Sequence, residues 1–519
     1  MIYCTSFSQS TPQLAQLEGT KTSGFGGIHI LGNTNEIVRD GKERARCALA
    51  SQNIKLPAQK ILLSFSPAET LHNGSHVDLA LFAALFFLSQ KDQLNHQVFE
   101  FWQGWLWHSE LSIEGKLKST GRSIGAIYLA LGKQLKGIIL PKSEEKYATI
   151  CQELIDQANT PFTMIFVDST TELVSTLSQP STIQPTKYQS VTTSAKRAPL
   201  TPNFDDMELS QDLKSIALAS VVGGHSILLR GTPGCGKTMF AKRLASIFPP
   251  LSLNEKIAVL QNHSGAEESI ITAFLRGYPP FRAPNHHCSR NGVLGSPAQV
   301  SELELAHHGV LCLDEFPEFR RDVIEGLREP LENREIRLSF AHYKSTRPTD
   351  FILIATMNMC PCGWYGSSQE KCVCTSQKII KYQSKISGPI LNRIDIQFTM
   401  PETKYFALEK TIFTNNTANL QKRAHRSRLF MHKRNQALGV KWNRDLSFTH
   451  LLPLHQKLVT QMGVATSTSL QKIKSRRSYL KVLQLTRTLA DIELEKIPTT
   501  AHFQQAIAWC CPPDNEYFS

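Results

Sequence analysis

The stretch Gly231-Thr232-Pro233-Gly234-Cys235-Gly236-Lys237-Thr238 fits the phosphate-binding pattern G-x-x-x-x-G-K-[ST] at every defined position. The apolar run Ile227-Leu228-Leu229 before it predicts a buried strand, and the segment from Met239 to Phe248 after it predicts a helix. In that setting, backbone N–H groups of the loop surround phosphates. We therefore expect Lys237 to reach the β- and γ-phosphates of a nucleotide and the Thr238 hydroxyl to bind Mg²⁺. The alternative is a glycine-rich turn that matches the pattern by chance.

A second apolar run, Val310-Leu311-Cys312-Leu313, ends in the carboxylates Asp314 and Glu315. A buried parallel strand delivers its last side chains to the carboxyl edge of the sheet, where the phosphate loop also lies. We expect Asp314 to hold Mg²⁺ through water and Glu315 to polarise the attacking water. The next strand, Phe351 to Thr356, leads to Asn358, which we expect to orient water against the γ-phosphate. The alternative for Asn358 is a capping role.

The composition fits a globular protein of more than one domain. Its 519 residues are 41% apolar and 19% charged, and the chain is too long for one hydrophobic core. A formal net charge of +13 permits contact with nucleic acid or another polyanion. Residues 1–10 carry no secretory pattern, and the longest apolar run, 79–88, is about half the length that spans a bilayer. We therefore expect a cytoplasmic protein with no membrane contact.

Four regions are predicted along the chain. Residues 1–175 mix strand-like runs with helical segments such as Val77–Ser89, which favours an α+β domain. Residues 176–203 are rich in Ser, Thr, Gln and Pro and are typical of a linker. Residues 204–400 are then expected to form the nucleotide-binding α/β core, and residues 401–519 a helical lid.

Four of the twelve cysteines cluster after the strand that leads to Asn358: Cys360, Cys362, Cys372 and Cys374. Their spacing, C-x-C-x9-C-x-C, allows four soft thiolates to close a tetrahedral Zn²⁺ site with no open position for catalysis. We expect a structural zinc there. The alternative is a set of reduced, packed thiols, as expected for the scattered cysteines in a reducing compartment.

Three stretches carry basic residues in a way that suits contact with nucleic acid. The first lies within residues 262–300 and interleaves Arg276, Tyr278, Phe281, Arg282, His286, His287 and Arg290. The second is the hairpin-like stretch Arg337–Lys344. The third is the start of the predicted lid, with Lys422, Arg423, Arg426, Arg428, Lys433, Arg434, Lys441 and Arg444. For each stretch, a plain solvated surface is the alternative.

Several blocks resemble the ComM/YifB-type, magnesium-chelatase-like AAA+ proteins. They are Phe281–His287, Leu305–Val310, Asp314–Phe319, Arg328–Glu332, Met357–Gly363 and Arg487–Asp491. The resemblance covers nearly the whole chain and implies a hexameric ATPase that acts as a helicase and promotes branch migration during natural transformation. Two departures from the family leave the phosphate chemistry intact: the glycine-rich stretch before Glu302 is reduced, and Leu209-Ser210 replaces a Gly-Gln pair.

In hexameric ATPases of this type, an arginine of one subunit points into the nucleotide site of its neighbour. A forked guanidinium that is always charged suits the charge that spreads over a transferring phosphoryl group. Arg393, in the segment Ser387–Asp395, is the candidate for this arginine finger, and a solvated surface arginine is the alternative. Arg477 is the candidate for a second sensor that reaches back to the γ-phosphate, with Arg476 as its close competitor.

The N-terminal region resembles the first domain of the same family at residues 38–46, 66–69 and 73–80. The resemblance implies an α+β fold similar to the Lon peptidase domain (S5 domain 2-like). His76 stands where Lon-type peptidases carry the catalytic serine, and the lysine expected near Ile124 is absent. A serine–lysine dyad cannot operate without either member. We therefore expect a structural or regulatory domain rather than a peptidase.

These observations predict an ATP-hydrolysing, ring-forming DNA motor with an AAA+ P-loop core and a C-terminal helical lid, assembled as a homo-hexamer. Its expected ligands are ATP, Mg²⁺ and single-stranded or branched DNA, and recombination proteins are its expected partners. The alternative is a magnesium-chelatase-type subunit that remodels a partner protein for metal insertion into a porphyrin. A third interpretation, a nucleotide-switched scaffold that hydrolyses slowly, stays open.

Overall fold

The computed structural model describes two compact units. The first combines Met1–Lys196 with Leu253–Leu275, and the second combines Arg197–Ser252 with Arg276–Ser519. The described residues are 1–8, 11–24, 26–32, 34–68, 72, 74–91, 96–148, 152, 155–156, 161–179, 202–263, 266–296, 299–340, 343–402, 416–462, 473 and 475–511. Most of the linker predicted at 176–203 therefore lies outside the described residues.

The first unit is built on a mixed seven-stranded sheet with its own small hairpin. The strands are β1 (Ile2–Ser8), β2 (Thr11–Thr22), β3 (Gly27–Leu31), β4 (Lys60–Ser66), β5 (Trp105–Trp107), β6 (Glu110–Leu111), β7 (Leu117–Lys118), β8 (Gly137–Pro141) and β9 (Thr163–Val167). The order in the sheet is β3-β4-β2-β1-β5-β8-β9, and β6 pairs with β7. β2 runs antiparallel to both β1 and β4, and the other neighbours in the sheet are parallel.

The first unit also contains helices, several of which pack against this sheet. The helices are Glu36–Ser51, Asp78–Ser89, His96–Trp102, Ser123–Gly132, Thr170–Ser178, Leu253–Asn262 and Glu268–Leu275, with 3₁₀ turns at Ser75–Val77 and Lys142–Tyr147. The helix Asp78–Ser89 is buried from Asp78 to Phe87 because it is apolar on every side. The helix predicted at Val77–Ser89 is thus confirmed.

Residues 253–275 belong to this first unit, although in sequence they lie between the phosphate loop and Asp314. Ile257 packs in an apolar cluster with Leu106, Ile138 and Phe162. Burying an isoleucine side chain contributes about 1.5–3 kcal/mol, so this cluster holds the inserted helix in the first unit.

Two histidines are buried side by side in the first unit. His76 is 2% exposed, its Nε2 lies 2.9 Å from the Thr5 carbonyl oxygen, and its ring stacks on His108 with centroids 5.5 Å apart. His108 Nδ1 lies 2.8 Å from the Thr5 hydroxyl. Burial lowers the pKa of His76 to about 3 and the pKa of His108 well below its usual value, because a charged imidazole loses its hydration there. The position that resembles a peptidase serine thus carries a buried, neutral ring.

The second unit is built on a five-stranded parallel sheet with the order β11-β12-β15-β10-β16. Its strands are β10 (Ile227–Arg230), β11 (Phe281–Arg282), β12 (Val310–Leu313), β13 (Glu335–Phe340), β14 (Tyr343–Pro348), β15 (Ile352–Met357) and β16 (Ile396–Thr399), of which β13 and β14 form a separate antiparallel hairpin. Since the five strands of the sheet run parallel, the residues that follow them meet at one edge. The strands predicted around the phosphate loop, before Asp314 and before Asn358 are confirmed.

The helices of the second unit are Gln211–Gly223, Lys237–Arg243, Arg290–Leu294, Glu302–Leu305, Arg321–Gly326, Arg328–Asn333, Ser376–Gln383, Gly388–Leu391, Asn416–Asn435, Phe448–Met462, Arg476–Ile492 and Thr500–Cys510. The 3₁₀ turns are Phe204–Asp206, Leu244–Ile247, Phe316–Glu318, Gln436–Leu438 and Asn443–Asp445. The helix predicted from Met239 to Phe248 begins two residues earlier and tightens into the 3₁₀ turn at its end. Over the described stretches, every helix is too short or too polar to cross a membrane.

The described part of the predicted lid region consists largely of helices and shares a core with the helix Gln211–Gly223. One buried carboxylate, Asp491, ties the lid helices together. It accepts hydrogen bonds from Arg487 NH2 at 2.9 Å, from Asn443 Nδ2 at 2.8 Å and from Arg434. A buried charge that is paired and hydrogen-bonded in this way is tolerated, whereas an unpaired one is not.

Acidification is expected to weaken the first unit through His76 and His108. Both pKa values lie below the ordinary value of about 6.5 in the folded state, so the unfolded chain binds more protons as the pH falls through 6.5 toward about 3. The contribution of this pair to the free energy of unfolding is therefore highest near and above pH 7 and falls on acidification, by up to about 1.4 kcal/mol per pH unit for each histidine. Denaturant titrations at several pH values measure this slope through tryptophan fluorescence.

The control separates these buried histidines from exposed ones. The double variant His76→Gln/His108→Gln should flatten the dependence of unfolding free energy on pH, whereas His29→Gln, which changes an exposed histidine, should keep it. Equal slopes in both variants would contradict the buried, neutral state of the pair.

Candidate active site

The phosphate loop joins β10 to the helix Lys237–Arg243 at the carboxyl edge of the parallel sheet. Gly234 and Gly236 have φ angles of +78° and +91°, which lie in the left-handed region that favours glycine. Such a conformation lets successive backbone N–H groups point into one concavity that binds an anion. The strand, loop and helix expected from the sequence are therefore all in place.

Lys237 is buried inside the loop. Its ammonium Nζ donates hydrogen bonds to the carbonyl oxygens of Gly231 at 2.9 Å and Thr232 at 2.7 Å. Burial lowers the pKa of Lys237, since the ammonium has lost part of its hydration. A phosphate oxygen is a stronger acceptor than a neutral carbonyl, because both partners are then charged. Lys237 is thus positioned to exchange these carbonyls for phosphate oxygens.

Asp314 connects three parts of the site through its carboxylate. The Thr238 hydroxyl lies 3.0 Å from both carboxylate oxygens, and the Thr356 hydroxyl donates to one of them. The backbone N–H of Glu315 in turn donates to the Thr356 hydroxyl at 3.1 Å. Hydroxyl and carboxylate oxygens are hard ligands, so Thr238 and Asp314 fit the expected Mg²⁺. Thr356, which the sequence marks only as the end of a strand, is a positioning residue for both acids.

Glu315 projects from a left-handed turn, with a φ angle of +54°, and 59% of its side chain is exposed. Non-glycine residues adopt this conformation rarely, and such backbone recurs at functional sites. His286 Nδ1 lies 3.7 Å from a carboxylate oxygen of Glu315. The contact follows from topology: β11 runs parallel to β12, so the residues after both strands reach the same edge. In the sequence, His286 is assigned only to a nucleic-acid surface, and its place beside Glu315 is not predicted.

Asn358 follows β15, and β15 lies between β10 and β12 in the sheet. The side chains after these three strands therefore share one edge, where Asn358 is half-buried. An amide at that place is able to orient a water molecule against the last phosphate, because both its oxygen and its nitrogen form hydrogen bonds. Its role as a sensor stays a prediction.

Arg393 and Arg477 meet at one carboxylate, that of Glu332. Arg393 donates to Glu332 through Nε at 3.1 Å and through NH2, and Arg477 NH2 lies 2.9 Å from the other carboxylate oxygen. Arg393 also donates to the Pro389 carbonyl at 2.8 Å. In the part of the chain that the structure describes, no hydrogen bond joins either guanidinium to the phosphate loop. Arg476 and Arg477 open the helix Arg476–Ile492 together.

The four clustered cysteines converge on one point. Their Sγ atoms all lie within 4.8 Å of one another, and the separations among Cys360, Cys362 and Cys372 are 3.3, 3.7 and 3.6 Å. Sulfur ligands of a tetrahedral zinc with bonds of about 2.3 Å stand about 3.8 Å apart, whereas disulfide sulfurs are about 2 Å apart. The donor set therefore fits a thiophilic divalent cation such as Zn²⁺, with Cys374 as the fourth ligand.

Many of the predicted nucleic-acid residues pair with other groups of the protein. Arg282 forms a two-point ion pair with Glu302 at 2.7 Å, and Arg337 pairs with Glu335 at 2.7 Å. In the lid, Arg434 pairs with Asp491, Arg444 with Asp350, and Arg428 donates to the Val221 carbonyl. The buried Arg444 stabilises the fold, whereas the pair of Arg337 with Glu335 is exposed to solvent and contributes little. Residues 341–342, at the tip of the predicted hairpin Arg337–Lys344, lie outside the described residues.

An exposed basic surface lies on the helix Asn416–Asn435. Lys422, Arg426 and Lys433 are exposed on the helix Asn416–Asn435, and Leu429 between them is 58% exposed. Their spacing places all four on one face of that helix. This face, Lys422-Arg426-Leu429-Lys433, combines positive charge with an apolar contact.

Three family descriptions match consecutive parts of the chain. They are magnesium chelatase, subunit ChlI, at residues 203–408; subunit ChlI of Mg-chelatase at residues 17–144; and magnesium chelatase, subunit ChlI C-terminal, at residues 414–509. The uncharacterized protein YifB of Escherichia coli is 28% identical over 94% of this chain and 92% of its own length. The competence protein ComM of Haemophilus influenzae is 29% identical over 96% of this chain and 94% of its own length. The probable DNA helicase MCM9 of Arabidopsis thaliana is 25% identical over 39% of this chain and 26% of its own length.

We expect His286→Ala to lower the turnover number of ATP hydrolysis about tenfold and to leave nucleotide affinity unchanged, because the imidazole lies beside the Glu315 carboxylate, with 3.7 Å between Nδ1 and a carboxylate oxygen, and does not belong to the phosphate loop. Steady-state kinetics and titration with a fluorescent ATP analogue separate the two effects. The matched control is His287→Ala, since the His287 ring lies beside His286 with centroids 4.1 Å apart and ring planes inclined at 51°, and its side chain is of the same kind. An equal turnover number in both variants would show that His286 does not position Glu315.

Proposed function

Because the chain belongs to the ComM/YifB-type, magnesium-chelatase-like AAA+ proteins, we propose that it is an ATP-hydrolysing, ring-forming motor that acts on DNA. One observation carries the ATPase part of the proposal: Lys237, Thr238, Asp314 and Glu315 converge at one edge of a parallel sheet. A chance phosphate-loop match would not bring a carboxylate within hydrogen-bond distance of Thr238, 76 residues away in the chain.

Each of these side chains has a defined part in hydrolysis. Lys237 binds the β- and γ-phosphates, and Thr238 and Asp314 would hold Mg²⁺. Mg²⁺, when bound, neutralises negative charge on the phosphates. Glu315 polarises the attacking water, and its side chain is open to solvent at the edge of the sheet. Asn358 orients the same water from the neighbouring strand end.

The ring-forming part of the proposal rests on Arg393, which meets Arg477 at one carboxylate. Both guanidinium groups are held by Glu332 and neither is used by the phosphate loop of its own chain in the described residues. A phosphate group presented by an adjacent subunit is a doubly charged competitor for these donors, and arginine binds it in the same forked geometry as a carboxylate. We infer that Arg393 acts on the nucleotide of the neighbouring subunit, and Arg477 keeps its predicted role as a second sensor that reaches back to the γ-phosphate.

The DNA part of the proposal rests on relatives and on charge. One relative is named a competence protein and another a probable DNA helicase. The exposed face Lys422-Arg426-Leu429-Lys433 offers three cations that contact phosphates without reading sequence. The finer proposal is branch migration of recombining DNA during natural transformation. The competing function is a chelatase-type subunit that remodels a partner protein, which the family descriptions favour.

We expect DNA to stimulate ATP hydrolysis by the full chain, and we expect Glu315→Gln to abolish both the basal and the stimulated rate while nucleotide binding survives. Loss of the group that polarises water lowers the turnover number about 100-fold or more. Rates are measured with and without single-stranded and branched DNA at low salt, where phosphate contacts are strongest. The control is Glu318→Gln, an exposed carboxylate of the same segment that pairs with Lys385. Rates of ATP hydrolysis that are the same with and without DNA at low salt would favour the chelatase-type function.

Mixed subunits test whether Arg393 acts across an interface. Arg393→Ala is expected to lower hydrolysis about 1,000-fold, as removal of an arginine finger does. Lys237→Ala is expected to be inactive because it cannot bind the phosphates. A mixture of the two proteins should regain activity, since some interfaces then join an intact phosphate loop to an intact Arg393. The exposed Arg320→Ala serves as the control that loses no activity. A mixture that is no more active than its components would contradict action between subunits.

A further inference from the structure

The loop that carries the four cysteines touches the phosphate loop. A methyl group added at Gly363 would lie 2.5 Å from Pro233 Cγ and 2.8 Å from Pro233 Cδ, and 3.9 Å from the Asn358 side-chain nitrogen. Atoms that are not bonded do not approach as closely as the first two distances. The Gly363 backbone therefore packs directly on Pro233, the third residue of the phosphate loop, with no room for a side chain.

The position of Gly363 depends on the cysteines that surround it in sequence. Its N–H donates to the Cys360 carbonyl at 3.0 Å, and the Tyr365 N–H donates to Cys360 Sγ at 3.3 Å. Residues 358–375 form neither helix nor strand, and Val373 is 82% exposed. A loop of this length with so few buried residues has little hydrophobic stabilisation of its own.

Two further contacts hold this loop, one near its start and one in its middle. Gln383 Nε2 donates to the Met359 carbonyl at 2.9 Å, and the Ser368 N–H donates to the Glu402 carboxylate at 3.0 Å. The convergence of Cys360 and Cys362 with Cys372 and Cys374 is what closes the loop. A cation bound by four thiolates is the kind of cross-link that orders such a segment outright.

We propose that a thiophilic divalent cation at Cys360, Cys362, Cys372 and Cys374 forms part of the nucleotide site, because it holds Gly363 against Pro233. The inference rests on the proposed ATPase function and deepens it: nucleotide affinity depends on occupancy of the cysteine site. The same cross-link fixes the position of Asn358, which lies two residues before Cys360. Without the cation the four cysteines no longer hold the two ends of the loop together. Gly363 then no longer packs against Pro233 and Asn358.

The first test removes and restores the metal in the full chain. Purified protein is assayed for about one zinc per chain by mass spectrometry, then depleted with a chelator and reloaded with Zn²⁺. We expect the dissociation constant of a fluorescent ATP analogue to rise about tenfold or more on depletion and to return on reloading. Cys372→Ser/Cys374→Ser should show the depleted affinity without a chelator. Metal-free protein that binds the analogue as tightly as the loaded protein would overturn the inference.

The second test needs no metal removal and compares two glycines of one loop. Gly363 and Gly366 both have positive φ angles, +88° and +78°, so an alanine at either carries the same kind of backbone cost. A methyl group at Gly366 meets no atom within 4 Å, unlike one at Gly363. We expect Gly363→Ala to weaken nucleotide binding about tenfold with its zinc retained, and Gly366→Ala to change it less than about twofold.

A double variant identifies the partner of Gly363. Pro233→Ala removes the ring carbons that the new methyl group would meet, so Gly363→Ala/Pro233→Ala should bind nucleotide better than Gly363→Ala alone. Equal binding by Gly363→Ala and Gly366→Ala would contradict the contact, even if the ATPase proposal holds. Wild-type protein that binds no nucleotide would instead refute the ATPase proposal itself.

Discussion

The hydrogen bonds that Asp314 receives from Thr238 and Thr356 are the constraint on which the site depends. One partner opens the helix after the phosphate loop and the other ends the neighbouring strand. A single carboxylate therefore fixes the relative position of three successive strand ends. The Glu315 N–H donates to the hydroxyl of the same Thr356. The position of Glu315 therefore depends on the hydrogen bond between Thr356 and Asp314. Preorganisation of this kind avoids reorganising the site when phosphate arrives.

The local parts of this site could be predicted from sequence because each is formed by a short, continuous stretch of residues. The phosphate loop, the Asp314–Glu315 pair and the strand before Asn358 have their own patterns, and the four cysteines have a readable spacing. Contacts between distant stretches could not be predicted in the same way. His286 reaches Glu315 only because β11 pairs with β12, and Glu332 holds Arg393 and Arg477 only because a short helix, a loop and the lid meet.

The basic stretches predicted to contact nucleic acid also depend on contacts between distant parts of the chain. The lid start contains eight basic residues, and sequence shows only their sign. In the fold, Arg428, Arg434 and Arg444 bind carbonyl and carboxylate oxygens inside the second unit, which leaves a narrower exposed face on one helix. The buried histidines of the first unit are a second case in which the sequence did not show where a side chain lies. His76 looks like a lost catalytic position in sequence, and the structure shows it as a neutral, stacked ring in the interior.

The assignment of Leu253–Leu275 to the first unit gives the chain an interleaved layout with three crossings, after residues 196, 252 and 275. A shortened protein that begins at the nucleotide-binding core would keep these two helices but lose Leu106, Ile138 and Phe162, against which Ile257 packs. Its apolar faces would then be open to water and prone to self-association. Residues 253–275 therefore need the rest of the first unit in order to bury their apolar side chains. A single proteolytic cut could not separate the first unit from the second without leaving these residues behind.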